Sequence, residues 1–296
     1  MTDRILDISE QPARLRVRQE QLLVEPHDGQ AVSIPLVDLA VLVVSHPQVT
    51  YTQAVLSGLV AHGAAFIACD QRHLPVGMLL PLEAHYVQTE RFALQARASL
   101  PARKQLWKQI VRAKVRAQGN LLQELYGSDH GLRAMAARVR SGDAQNIEAQ
   151  ASRRYWPALF GDLSFRRNPD LDDQNRLLNY AYAVLRAVVA RAICAAGLHP
   201  SLGLHHHNRY NPFCLADDLM EPFRPLADKA VLALVTTESP QAPLDRRTKA
   251  LLLGAFTGRL TVEGESRTLF DVAARTASSL VAVLRKERSQ LVLPEP

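Results

Sequence analysis

Near residue 85 the hydrophobic pattern changes period from about two residues to 3.6. A chain with such a break folds as strands followed by helices rather than as one repeating layer. Before the break, Ile5-Leu6-Asp7-Ile8, Leu15-Arg16-Val17 and Leu22-Leu23-Val24 alternate or cluster apolar residues over strand lengths. His27-Asp28-Gly29-Gln30 supplies a turn ahead of Val32-Ser33-Ile34-Pro35, and residues 40–44 form an aliphatic run suited to a strand covered on both faces. A short helix runs from Thr52 to Ala61, ended by Gly63, and residues 65–69 read as another strand. After the break, Pro101 separates one helix from a basic helix over 102–118, which Gly119 interrupts. Asp143 is placed to cap a helix that runs to about Phe160. The strongest helix spans Asp172 to Ala196: Leu177, Ala181, Val184, Val188, Ala192 and Ala195 recur at spacings of three and four, and Gly197 with Pro200 ends it. A helix follows Pro212, kinked by Pro222 and Pro225, and helices near 245–254 and 268–287 flank a short hairpin at 260–268. The expected fold is α+β and multidomain, with a small N-terminal β-rich domain over 1–85 and a larger all-α catalytic domain over 86–296.

At 296 residues two such domains can each bury a core. Lys and Arg number 35 against 29 Asp and Glu, an excess of six that favours an anionic partner. Its distribution is more telling than its size. Arg103, Lys104, Lys108, Arg112, Lys114 and Arg116 fall within residues 101–118 with no acid among them, and Arg153, Arg154, Arg166 and Arg167 form a second group. Both read as nucleic-acid contacts. Cys69, Cys194 and Cys214 are too few and too scattered for a cysteine-type zinc site, and disulfides are not expected. Residues 1–4 carry no apolar signal core, and Asp38, Arg186 and Arg191 interrupt the most apolar runs. A cytoplasmic protein with no membrane span is the expectation.

Metal-capable side chains concentrate between His205 and Glu221. Asp218 and Glu221 are three apart, so on a helix their carboxylates share a face, whereas Asp217 points about 100° away. Leu215, Leu219, Met220 and Phe223 surround these acids with apolar bulk, and buried carboxylates need a cation or hydrogen-bond donors. Glu148 sits mid-helix with the small residues Ala144, Ala151 and Ser152 on its face, which leaves room for a metal or a phosphate; an ion pair is the structural alternative. Tyr155 either lines the same cleft or belongs to the core. Three consecutive histidines cannot all aim at one ion, so His205 with His207, or His206 alone, share a side. Mixed histidine and carboxylate ligands suit Mg²⁺ or Mn²⁺, which polarise a phosphoryl oxygen and orient an attacking hydroxyl. Arg209 and Arg224 lie close enough in sequence to meet transition-state charge. No Walker glycine loop, GxGxxG, GxSxG or HExxH stands in the chain, which argues against nucleotide-dependent, serine-hydrolase and helical zinc-hydrolase readings.

Four segments taken together resemble the CRISPR-associated integrase family Cas1. They are Asn146-Ile147-Glu148-Ala149 with Tyr155-Trp156, Asn175-Arg176-Leu177-Leu178-Asn179-Tyr180, Gly203 to Asn211, and Leu215-Ala216-Asp217-Asp218-Leu219-Met220-Glu221-Pro222-Phe223-Arg224-Pro225. The Met-Glu-Pro-Phe-Arg-Pro wording is similar to the form found in type II systems. The resemblance implies a metal site of Glu148, His206 and Glu221, with His206 chosen by a Gly-x-x-His pattern that starts at Gly203, and Asp218 as a supporting acid. It further implies a homodimer joined through the β domains, assembly with the small protein Cas2, and binding of double-stranded prespacer and repeat DNA. The implied activity is metal-dependent transesterification that joins prespacer 3′-hydroxyl ends into the CRISPR array, with nuclease activity at the same site. A stand-alone metal nuclease for branched or repair DNA is the alternative. A non-catalytic DNA-binding scaffold would keep the basic residues Arg103, Lys104, Lys108, Arg112, Arg153 and Arg154 and leave the three ligands unexplained.

Overall fold

A computed structural model describes residues 3–81 and 83–295. In chain order the strands and first helix are β1 (Arg4–Ile8), β2 (Ala13–Arg18), β3 (Gln21–Pro26), β4 (Val32–Pro35), β5 (Leu39–Val44), β6 (Thr50–Tyr51), α1 (Gln53–Ala61), β7 (Ala65–Cys69) and β8 (Pro75–Leu79). Helices then follow: α2 (Gln88–Ala96), α3 (Leu100–Tyr126), α4 (Leu132–Arg138), α5 (Ile147–Phe160), α6 (Gln174–Ala195), α7 (Cys214–Met220), α8 (Arg224–Thr237) and α9 (Arg246–Gly254). The hairpin β9 (Arg259–Val262) and β10 (Glu265–Thr268) precedes the last helix, α10 (Leu269–Leu284). The fold class is α+β, as the change in period predicts.

Two four-stranded sheets make up the β-rich part. One has the order β1-β5-β7-β8, parallel except for the β7–β8 pair; the other has the order β4-β3-β2-β6. Every residue of β5 is buried, and its period of two divides them between two cores. Leu42 and Val44 pack with Leu15, Leu22, Leu59 and Phe66 between the sheets, while Val41 and Val43 join Ala65 and Ile67 against the helices. Burial on both faces is what the unbroken aliphatic run at 40–44 predicts. A charge at Val43 would face the helical core without a partner.

Buried polar contacts also tie the sheet to the helices. Tyr180 on α6 donates to Asp7 Oδ2 at 2.9 Å, and Lys249 on α9 donates to Ser45 Oγ at 2.9 Å while lying 3.8 Å from Asp7. Burial lowers the pKa of Lys249 from its ordinary value, with Asp7 opposing it. Helix α6 is long and apolar enough to cross a membrane, but 78% of its most apolar window is buried within the protein.

Two helix boundaries differ from expectation. Gly119 does not interrupt the basic helix: α3 runs unbroken over 27 residues from the N-cap Ser99, with Pro101 inside its first turn. A Cβ at 119 would stand 3.1 Å from Leu132 Cβ and 3.3 Å from the Arg133 nitrogen, so the glycine permits the close approach of α4. Asp143 caps α5 from farther upstream than expected. It sits in a 3₁₀ turn before the helix, and its carboxylate accepts from Ile147 N and Glu148 N, both at 2.9 Å. The turn that places Asp143 there uses positive φ at Asp143 (51°), Gly142 (68°) and Asn146 (52°), conformations that apolar periodicity does not report.

Candidate active site

Helix α3 aims a charged side chain inward. Trp107, Val111, Lys114, Gln118 and Leu121 recur at spacings of three and four, and all are buried. Lys114 therefore lies in the apolar stripe and not on the solvated basic face. Its Nζ stands 2.6 Å from Glu148 Oε1 and 2.6 Å from Glu221 Oε2. Glu148 is in the first turn of α5, and Glu221 is in the 3₁₀ turn between α7 and α8. Two glutamates from separate elements thus face one cation position.

The Glu221 side chain is 4% exposed, and its other oxygen lies 3.0 Å from Arg224 Nε. Neither contact is a directed hydrogen bond: Glu221 Oε2 and Arg224 Nε are both buried without an aligned partner. Burial alone would raise the Glu221 pKa, but Arg224 and then Lys114 outweigh it and hold the carboxyl below its ordinary value. For Lys114 burial acts downward, and Glu221 with Glu148 outweighs it, so the ammonium is held above the ordinary lysine value.

Asp218, fully buried on α7, organises the histidine loop. Its Oδ2 accepts from Leu204 N at 2.6 Å and His205 N at 2.9 Å; its Oδ1 accepts from His206 N at 3.2 Å and pairs with His206 Nδ1 at 2.6 Å. A carboxylate on Nδ1 favours the tautomer whose lone pair is on Nε2, the usual arrangement behind a ligating histidine. The same hydrogen bond raises the His206 pKa above its ordinary value, against burial. Gly203 makes the loop possible: a Cβ there would lie 2.2 Å from His206 O and 2.9 Å from Cys214 Cβ. His205 stacks on Trp107 at 4.2 Å between centroids and 2° between planes, and burial lowers its pKa. His207 is exposed, with Nδ1 on the His205 carbonyl at 2.7 Å. Of the three imidazole rings, that of His206 alone is held by a buried carboxylate.

Among the described residues, no three His, Cys, Asp or Glu side chains lie close enough to grip one ion as they stand. The donor set nevertheless fits a hard divalent cation: two carboxylates converge on a cation position, one buried oxygen lacks a directed donor, and an imidazole beside them is oriented through its far nitrogen.

Residues 6–255 match the family described as CRISPR associated protein Cas1. The chain belongs to the Cas1 family. It is 40% identical over 286 residues to a CRISPR-associated endonuclease Cas1 of Neisseria meningitidis serogroup C, covering 95% of this chain and 93% of the relative. A second relative, from Pyrobaculum aerophilum, is 27% identical and is covered over 96% of its length. Among solved structures, a casposase bound to integration product superposes with a TM-score of 0.79 at 20% identity, over 97% of this chain and 92% of that one. A Cas1 protein from Thermotoga maritima gives 0.76 at 17% identity, over 99% of this chain and 100% of that one. At these identities the structural matches show the shared fold.

The structure also places the other residues of this Cas1 protein that the sequence singled out. Arg209 does not reach the carboxylates: it is exposed and lies over the Tyr210 ring at 4.6 Å. Tyr155 does not line the cleft. It is fully buried and donates to Asp228 Oδ2 at 2.7 Å, while Tyr182 donates to Asp228 Oδ1. Burial raises the Asp228 pKa to about 6 despite those two donors, and Arg224 lies over the Tyr182 ring at 4.4 Å. This buried network backs Glu221 through Arg224. Asp217 pairs with Arg186 at 2.6 Å, in keeping with its expected place about 100° from Asp218 on the helix. Arg167 is not a surface cation, since it donates to Asn175 Oδ1 at 2.9 Å and Asn179 Oδ1 at 2.6 Å.

The remaining basic residues do reach the surface. Lys104, Lys108 and Arg112 follow one another at spacings of four along α3, so they share a face. Lys108 and Arg112 line a cleft of about 400 Å³ with Arg138, Arg140, Ser141 and Gln145, and among the described residues no acid lines it. Arg103 is half-buried on the same helix, and Arg153 with Arg154 is exposed on α5.

Around the candidate site, sequence reasoning passed over Trp107, Asp228 and Tyr182, and read Lys114 as a surface cation. The signal for Lys114 and Asp228 is a charge in phase with an apolar stripe, on α3 and on α8 where Ala227, Val231 and Leu234 are buried beside it.

Proposed function

We propose that this Cas1 protein performs the DNA-joining step of CRISPR adaptation, in the form found in type II systems, at a site built from Glu148, His206 and Glu221. One observation carries the reading: glutamates from α5 and from the α7–α8 turn converge on a single cation position beside a histidine whose Nδ1 is held by a buried aspartate. Glu148 and Glu221 through their carboxylates, and His206 through Nε2, would hold Mg²⁺ or Mn²⁺. Such an ion, when bound, polarises the phosphoryl oxygen and stabilises the charge that develops on it.

The protein's own groups do the rest. Asp218 fixes the His206 ring, Arg224 keeps Glu221 ionised, and the Asp228 network fixes Arg224. Lys104, Lys108, Arg112, Arg153 and Arg154 supply positive surface for phosphates. The 3′-hydroxyl of a prespacer end attacks a phosphodiester of the repeat; a new P–O bond forms, the old one breaks, and a 3′-hydroxyl leaves with the proton that the attacking one gave up. One phosphodiester replaces another, so no nucleotide energy source is needed. With water as attacker the same groups cut DNA.

A homodimer assembled with Cas2 presents two such sites to the two ends of a duplex. Val32, Val37 and Val76 are exposed in the β-rich part and supply apolar surface for contact between copies. Strand transfer with purified Cas2, a duplex with free 3′ ends and a supercoiled repeat plasmid tests the reading. Glu148→Ala, His206→Ala and Glu221→Ala should each abolish product in Mg²⁺ or Mn²⁺ while staying folded. Full activity in Glu221→Ala would refute the site, and cleavage without joining would favour a stand-alone nuclease.

A further inference from the structure

Lys114 occupies the position between the two glutamates, and its charge has a consequence for when a metal can bind. Glu148, Asp218 and Glu221 bring three negative charges; Lys114 and Arg224 return two positive ones. The neighbouring acids are compensated separately, Asp217 by Arg186 and Asp228 by the nearby Arg167. With His206 neutral, the cluster therefore carries about one uncompensated negative charge, in a site where the Lys114 and Glu221 side chains are 10% and 4% exposed. A divalent ion added to that cluster overshoots neutrality by one charge, which is costly in a poorly solvated site. A divalent ion together with one phosphodiester leaves the cluster balanced, provided the Lys114 ammonium gives up the cation position but stays within the cluster.

We propose that Lys114 couples metal binding to DNA binding: it fills the cation position of the free protein and yields it when a divalent ion and a strand phosphate arrive together. This rests on Glu148 and Glu221 being metal ligands. The geometry supports the exchange. Lys114 Nζ contacts both glutamates at 2.6 Å, yet its contact with Glu221 Oε2 is poorly aligned as a hydrogen bond, so the attraction there is largely that of charge. The Glu148 side chain is 23% exposed and that of Glu221 is 4%, so the cluster opens to solvent on the Glu148 side, where Lys114 also makes its one directed hydrogen bond. An ammonium that withdraws toward Glu148 moves toward the side from which a strand must enter. Lys114 is then a positioning residue that acts through the two carboxylates, holding both against one cation position in the free protein and preventing a tightly bound metal from resting there without substrate.

The test is Mn²⁺ binding to the full-length protein, read from the electron paramagnetic resonance of free Mn²⁺, with and without a DNA duplex lacking 3′-hydroxyls. In the wild type DNA should tighten Mn²⁺ binding about tenfold or more, within the range usual for coupled sites. Lys114→Met should bind Mn²⁺ without DNA about tenfold more tightly than the wild type, and DNA should then add less than about twofold. Lys114→Arg keeps the charge and should keep the coupling. Equal Mn²⁺ affinity of the wild type with and without DNA would overturn the proposal, and so would a Lys114→Met protein that binds no tighter. The wild-type comparison stands even where Lys114→Met fails to fold. Glu148→Gln and Glu221→Gln separate the two readings. Mn²⁺ binding that both variants leave untouched means the metal site itself is wrong, and the Lys114 proposal with it. Mn²⁺ binding that both variants weaken, but that DNA does not alter, overturns the Lys114 proposal alone.

Discussion

Replacing Asp218 separates the two things it does, holding the loop and setting the histidine. It is fully buried and accepts four N–H groups, from Leu204, His205 and His206 and from the His206 ring. In Asp218→Ala the buried Leu204 N–H loses its acceptor, while the more exposed His205 and His206 groups turn partly to water. One stranded buried donor costs about 1–3 kcal/mol, and lost charge-assisted bonds add about 1.5 kcal/mol or more, so a total near 3–4 kcal/mol is expected. At about 2–4 °C per kcal/mol for a chain of this size, the melting temperature should fall by roughly 10 °C. Asp218→Asn is the sharper variant because it keeps the shape. An amide NH₂ toward His206 would place the ring lone pair on Nδ1 and the proton on Nε2, the nitrogen a metal needs. Metal-dependent DNA cleavage should drop about 10–100-fold, the usual cost of removing the group behind a ligating histidine, with a much smaller loss of stability than in the alanine variant. Melting curves and Mn²⁺-dependent cleavage of a plasmid measure both. Asp218→Asn with wild-type cleavage and wild-type Mn²⁺ dependence would refute the argument that the His206 tautomer matters.

Three further outcomes follow from the geometry. Gly203→Ala places a Cβ 2.2 Å from His206 O, so the loop must open; cleavage should be lost and the melting temperature lowered, and an unchanged enzyme would contradict the packing. The Asp218 hydrogen bond raises the folded pKa of His206 above its unfolded value, so the stability this pair contributes is full below about pH 6.5 and is lost as pH rises through the folded value. Mn²⁺ needs the unprotonated ring, so apparent Mn²⁺ affinity should climb as pH passes that folded value; a flat profile above pH 6 would exclude His206 as a ligand. Charge reversal of Lys108 with Arg112 should weaken DNA binding on any sequence and lower the slope of log affinity against log salt by about 2, and an unchanged slope would remove the cleft from the binding surface.

Much of the fold was legible because its elements obey local rules. The run at 40–44 is buried on both faces, α6 follows its spacing of three and four and ends before Gly197, and the hairpin expected at 260–268 forms at β9 and β10. What misled was local chemistry read without its tertiary partner. Gly119 is a helix-weakening residue by propensity, yet the approach of α4 requires it. Lys114 counted as one more cation in a basic run, although its position in phase with Trp107, Val111 and Gln118 placed it inside. The spacing of Asp218 and Glu221 assumed one continuous helix, but Glu221 falls in the 3₁₀ turn after α7, and only the folded loop shows that Asp218 is spent on backbone N–H groups and a histidine ring, leaving Glu221 to meet Glu148. The choice among His205, His206 and His207 was open to residue spacing because alternation on an extended chain does not apply to a loop wrapped around one carboxylate.

The central claim is that Glu148, Glu221 and His206 close around a single ion when DNA is present. Anomalous scattering at the manganese edge, from crystals of the protein with Mn²⁺ and a DNA duplex, measures this directly. One peak should lie about 2.0–2.2 Å from a carboxylate oxygen of each glutamate and from His206 Nε2, with Lys114 Nζ moved out of its present place between the glutamates. Manganese bound elsewhere, with Lys114 still bridging Glu148 and Glu221 beside the DNA, would contradict it.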